Sequence, residues 1–181
     1  ALPLGTADFW IASVQKCLGL PAGLGLLLVS PRAAARIAAA PPGARYSSLA
    51  ALRENFLRRQ TVCTPNVLNI FLLRRVLEQA PPIAEVAARL ERQAAAWYAR
   101  FDEMNAQGAG LAPLVSRPCA RSRTVIAVQG AAEKIAAVRA AAAQAGFLLG
   151  PGYGPWKETS FRLANFPALQ PEEVAGLMHF F

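Results

Sequence analysis

Histidine is nearly absent from this chain, with His179 the single example, and the three cysteines, Cys17, Cys63 and Cys119, stand apart with no Cys-x-x-Cys pair. The spacing that builds a Cys/His metal centre is therefore missing, and no metal site is expected. An odd, scattered cysteine set offers no disulfide framework either, and it suits the reducing cytoplasm. Long apolar runs are also lacking. Leu18 to Val29 is too short, and too broken by glycine and proline, for the roughly 20 apolar residues that a membrane helix needs. Charged residues make up only 17% of the chain, yet they are unbalanced, with 19 Lys and Arg against 11 Asp and Glu. The arginines are spread out, from Arg32, Arg36 and Arg45 through Arg74 and Arg75 to Arg121 and Arg123. No dense basic run or interleaved aromatic platform appears, so the net charge of +8 reads as a solvated surface and no nucleic-acid partner is expected.

What is present is apolar bulk. The 181 residues are 54% hydrophobic and rich in alanine, which favours helices and is enough for one domain with a real core or two small ones. No internal repeat is visible. The chain opens on Ala1 rather than methionine and reaches its most informative stretch almost at once. It is therefore expected to be the back half of a longer protein.

That stretch is Phe9 to Ser30, FWIASVQKCLGLPAGLGLLLVS. Phe9 to Val14 is a β-favouring run that delivers Gln15 and Lys16, Leu18 to Gly25 is a Gly/Pro-rich turn, and Leu26 to Val29 reads as a second buried strand. A lysine between two buried strands has two readings. It can snorkel to solvent, or it can be desolvated, which lowers its pKa and makes the amine a nucleophile.

The rest alternates helix and strand. Ser30 caps a short helix over 31–40 with Pro31 at its first position, and Pro41-Pro42-Gly43 ends it. Tyr46 to Gln60 is polar and mixed, with a helical turn opening near Ser47-Ser48. Thr64 is the candidate cap of the next helix, with Pro65 at its first position and an apolar face of Val67, Ile70, Phe71 and Leu77. Pro81-Pro82 breaks that helix. Ile83 to Asn105 is a long helix with Val86, Leu90, Ala94, Trp97, Tyr98 and Phe101 on one side. Strands follow at 123–129, 147–149 and 160–165. Between the first two lies an alanine-rich helix over 131–145 closed by Gly146, and Pro171-Glu172-Glu173 opens the last helix. The whole is an α/β chain that divides into residues 1–81 and a small α/β sandwich over 82–181. In the strand SFRLAN, Arg162 alternates with Phe161 and Leu163. It therefore faces away from them, as a surface ion pair or as a fork for a carboxylate.

Ser-Val-Gln-Lys followed by Gly-Leu-Pro-Ala-Gly-Leu-Gly resembles the cofactor-lysine segment of class V, fold-type I aminotransferases that use pyridoxal 5′-phosphate. The stretch GPGYGPWKETSFRLANFPA resembles the C-terminal signature of their phosphoserine aminotransferase-like branch. The Thr-Pro at a helix start lies between them in family order, so the resemblance covers essentially the whole chain. It implies that Lys16 carries the cofactor covalently and that Gln15 lies beside the cofactor phosphate. It implies further that Thr64 reaches the cofactor phosphate of the neighbouring subunit of a homodimer, and that Arg162 binds the substrate α-carboxylate. Lys157 would serve a second anionic group on the substrate, although a lysine in such a loop is otherwise simply solvated. Where the branch has an asparagine before the threonine, this chain has Cys63.

The implied activity is transfer of an amino group between an amino acid (phosphoserine, or serine or alanine) and a 2-oxo acid. Residues 1–81 would be the remainder of the cofactor-binding large domain, and 82–181 the small domain entered by a long linking helix. The family's ring-stacking aromatic, its aspartate on the pyridine nitrogen and its further phosphate ligands lie before the lysine, so residues 1–181 alone are expected to be inactive. A cysteine desulfurase shares the fold but would need a loop cysteine nucleophile and usually a histidine before the lysine, where this chain has Gln15. A non-catalytic fragment or interaction module of the same fold is the remaining alternative.

Overall fold

The computed structural model describes residues 4–41, 45 and 47–181. The chain separates into two units, Ala1–Ala80 and Pro81–Phe181. Pro42, Gly43 and Tyr46, which figure in the sequence reading, lie outside the described residues.

The first unit starts with an antiparallel pair, β1 (Phe9–Ser13) and β2 (Gly25–Val29), in register from Phe9 opposite Val29 to Ser13 opposite Gly25. Three helices follow: α1 (Pro31–Ala39), α2 (Leu49–Leu57) and α3 (Val67–Gln79). Ser30 caps α1 as expected, its Oγ accepting from the Ala33 amide at 3.1 Å, with Pro31 in the first turn. The same hydroxyl donates to Asp8 Oδ1 at 2.6 Å, and Arg32 donates to both oxygens of that carboxylate at 3.2 and 2.8 Å. A three-way knot thus ties the entry of β1 to the start of α1. The Arg32 hydrogen bonds, then that from Ser30, hold the Asp8 carboxyl below the usual carboxylate range.

Three expectations for this unit are corrected. The single helical turn expected near Ser47-Ser48 is a full helix, α2, capped by Ser48, whose Oγ accepts from the Ala51 amide. Helix α3 begins later than Thr64-Pro65, because Asn66 supplies the cap by accepting from the Asn69 amide at 3.0 Å, so Thr64 stands two residues ahead of it. Lastly, β1 and β2 are not buried strands: Ile11 is 83% exposed, and Phe9, Leu27, Leu28 and Val29 are exposed too. Two strands make only half a layer, and no described element within this unit closes over them.

The second unit has a closed core. Its sheet runs in the order β3-β4-β6-β5 with every neighbour antiparallel: β3 (Ala112–Pro113), β4 (Val125–Gln129), β5 (Gly150–Pro151) and β6 (Ser160–Ala164). Three helices accompany it: α4 (Ile83–Ala106), α5 (Ala132–Gln144) and α6 (Pro171–Phe180). In register, Ile126 lies opposite Leu163 and Val128 opposite Phe161, which puts all four on one face, where they are buried. Leu90, Ala94, Trp97, Tyr98 and Phe101 form the buried stripe of α4, as its 3.6-residue period predicts, and most of this stripe joins the same core as the four strand residues. Phe101 and Phe161 meet edge to face at 6.1 Å, and Phe181 stacks on Phe161 at 5.6 Å.

The expected strand over Phe147–Leu149 does not form. Gly146, at φ +87°, closes α5 in the left-handed conformation, and the Phe147 amide is spent on the Ala142 carbonyl at 2.8 Å. Pairing therefore starts only at Gly150, and Leu148 is left 93% exposed. Strand β4 begins at Val125 rather than Arg123, because Ser122 Oγ first takes the Thr124 and Val125 amides. Strand β3, two residues with a proline, was not expected at all.

Truncating Phe101, which has no exposed surface, is expected to destabilise this unit by about 3–5 kcal/mol, read as a lower urea midpoint for Phe101→Ala. Asp8 gives a pH test in the first unit. Its folded pKa is depressed, so its contribution is complete above the ordinary value of 3.8 and is lost as pH falls below that. Asp8→Asn is expected to flatten the acid limb of the stability curve while lowering stability at neutral pH.

Candidate active site

In the first unit the candidate lysine is carried by a loop with both feet tied. The Val14 amide donates to Leu24 at 3.3 Å, and the Val14 carbonyl accepts from Leu20 at 3.2 Å. Within that closure the Gly19 amide returns to the Lys16 carbonyl at 3.0 Å, a turn that Gly19 permits at φ +65°. The Val14 and Leu20 side chains are buried beneath, so Gln15 and Lys16 project from the tip and are exposed. The described residues of this unit form no apolar crevice around Lys16, for the same reason that β1 and β2 stay open.

The descending arm of the loop is held by a residue that the sequence reading passed over. Asn69 is 1% exposed and is the one buried residue of α3. Its Nδ2 donates to the Pro21 carbonyl at 3.0 Å, with the Ala22 carbonyl at 3.5 Å. The helix thus buries an amide and leaves Val67, Leu68, Phe71 and Leu77 exposed. The only sequence signal was an asparagine inside an apolar helical pattern, where it is a poor helix former and needs a partner.

Thr64 and Pro65 stand just ahead of α3 and line a wide depression of about 960 Å³ together with Phe56, Thr61, Cys63 and Ile70. Thr61 Oγ1 donates to the Cys63 carbonyl at 2.6 Å, which bends the chain before Thr64. Gln15 and Lys16 do not line this depression. Asn69 therefore links the helix that follows Thr64 to the loop that carries Lys16, while the two side chains serve different surfaces of the unit.

In the second unit Arg162 projects from β6 on the face opposite Phe161 and Leu163, as the alternation predicts. Its Nε donates to the Pro151 carbonyl at 2.7 Å, and its guanidinium carbon lies 4.0 Å from the centre of the Tyr153 ring. The two Nη nitrogens donate to nothing among the described residues. Tyr153 and Trp156 are largely exposed, and Tyr153 covers the guanidinium. Lys157 is exposed, at the end of a short 3-10 turn over Gly154–Trp156. Among the described residues no helix is long and apolar enough to cross a membrane.

A four-stranded antiparallel sheet backed by helices, preceded by a unit holding a lysine loop, is the mixed α/β fold of the C-terminal part of fold-type I phosphoserine aminotransferases. In particular, the chain superposes on the crystal structure of a phosphoserine aminotransferase from Cytophaga hutchinsonii with a TM-score of 0.85 and 28% identity, covering 98% of this chain and 50% of that one. It also matches a pyridoxamine–pyruvate aminotransferase from Mesorhizobium loti, at a TM-score of 0.75 and 30% identity, over 96% of this chain and 45% of the other. A Mycobacterium protein (strain KMS), provisionally named phosphoserine aminotransferase, is 29% identical over 179 residues, which is 96% of this chain and 48% of its own length. The chain thus spans about half the length of the relatives it matches. No protein-family model matches the sequence.

Asn69→Ala is expected to cost about 1–3 kcal/mol, the penalty for leaving the Pro21 carbonyl unpaired. Amide exchange at Gly19 and Leu20 should speed up with it, and exchange in the second unit should not change. Asn69→Asp, which turns an acceptor toward that carbonyl, is expected to be worse.

Proposed function

We propose that this chain is the C-terminal half of a class V, pyridoxal 5′-phosphate-dependent aminotransferase. The reaction moves an amino group between an amino acid (phosphoserine, or serine or alanine) and a 2-oxo acid. With phosphoserine as donor it would serve serine biosynthesis. The observation that carries the reading is the similarity, over nearly the entire chain, to aminotransferases of that type. We further propose a cytoplasmic homodimer with its active site at the subunit interface. The cytoplasmic location is in keeping with three exposed, unpaired cysteines.

The donor set fits the cofactor: a primary amine at the tip of a tied loop, an amide beside it, and a hydroxyl just ahead of a helix N-terminus, where free amides favour phosphate. When bound, pyridoxal phosphate supplies an aldehyde and an electron-withdrawing ring. Lys16 Nζ would hold the cofactor and would serve as the base for the substrate α-proton. Gln15 would lie beside the phosphate, and Thr64 would reach it from the neighbouring subunit, in keeping with a depression that Lys16 does not line. Cys63 stands where a second phosphate contact is made in the family. Arg162 orients the substrate through its α-carboxylate so that the bond to be broken is correctly presented. Lys157 serves a second anionic group.

Borohydride reduction of the full-length protein with pyridoxal phosphate, followed by peptide mass analysis, is expected to leave the label on Lys16. A label on another lysine would remove Lys16 from this role. Lys16→Ala is expected to lower transamination by roughly 10²–10⁴-fold, the span typical of a lost proton-transfer group. Residues 1–181 alone are expected to show no transamination.

A further inference from the structure

We propose that Tyr153 is the positioning residue for Arg162, fixing the guanidinium so that only its two Nη nitrogens face a ligand; this rests on the carboxylate-binding role given to Arg162 above. The sheet alone does not hold the side chain. Its register neighbours are Ala127 on β4 and Gly150 on β5, one a methyl group and the other no side chain at all. A flexible arginine between two such neighbours has room to swing, and ordering it on binding would cost side-chain entropy.

Two contacts remove that freedom in advance. The Pro151 carbonyl occupies Nε–H at 2.7 Å, and the Tyr153 ring lies against the guanidinium face at 4.0 Å. With Nε engaged, the side-on mode of carboxylate binding, through Nε and one Nη, is closed. The end-on mode through both Nη nitrogens stays open. That geometry matches a planar carboxylate with two coplanar oxygens. Tyr153 pays a visible price for its placement, for it is 69% exposed although Phe147 and Leu149 nearby in sequence are drawn into or against the core. Its ring is spent on a cation rather than on packing. Nothing in this arrangement requires the phenol hydroxyl, so the ring is the working part.

The full-length protein tests this by steady-state kinetics and by titration with succinate, a carboxylate competitor. Tyr153→Ala and Tyr153→Leu are both expected to raise the KM of the amino acid and weaken succinate by roughly 3- to 30-fold, the equivalent of a lost cation–π contact. kcat should change by less than about two-fold, since the contact is made equally in ground and transition states. Tyr153→Phe, which keeps the ring, is expected to restore both values. Unchanged KM and succinate binding in Tyr153→Leu, alongside a loss in Arg162→Ala, would overturn the positioning role and leave the function intact. No loss in Arg162→Ala would overturn the carboxylate-binding reading itself, and this inference with it.

Discussion

The second unit is organised by the alternation of one short strand. On β6, Phe161 and Leu163 point into the aromatic core while Arg162, between them, is forced to the opposite face. Apolar burial on one side of the sheet thus sets the direction of a cation on the other. The arginine cannot slip by one position without turning two core residues to solvent, which makes its placement as secure as the core itself. The same core is backed by α4 and closed by Phe181 stacking on Phe161.

The first unit is held differently. Its described residues bury little apolar surface beyond Val14, Leu20 and Ala33, and its order comes from polar ties: Asp8 with Ser30 and Arg32, Ser48 at the head of α2, and Asn69 on the Pro21 carbonyl. Directional bonds of this kind fix local geometry more than they add stability, because each replaces a bond to water. The Lys16 loop is accordingly well defined in shape, while the strands that carry it remain exposed.

Much of the fold was legible because its causes are local. Ser30 before Pro31, Gly146 after an alanine-rich helix and the period of α4 are each decided by a few neighbouring residues. The alternation in SFRLAN likewise predicted the direction of Arg162. The resemblance of the two terminal stretches pointed to the fold that the comparisons bear out. The misses share a feature. Thr64 looked like a cap because it stands before a proline that suits a first helical turn, but the helix starts two residues later, where Asn66 accepts from the Asn69 amide. Phe147–Leu149 looked like a strand by β-propensity, but the helix cap consumed the first amide it would have paired.

By itself, the sequence determined most of the helices, the Ser30 cap and the Gly146 stop, and which face of β6 carries the guanidinium, since periodicity and capping act over a few residues. Only the tertiary structure decided that Asn69 clamps a turn 48 residues upstream and that Tyr153 caps Arg162. It alone decided that the strands flanking Lys16 stand open. Each of these depends on which distant group the folded chain brings within 3 to 4 Å, and no local pattern encodes that distance.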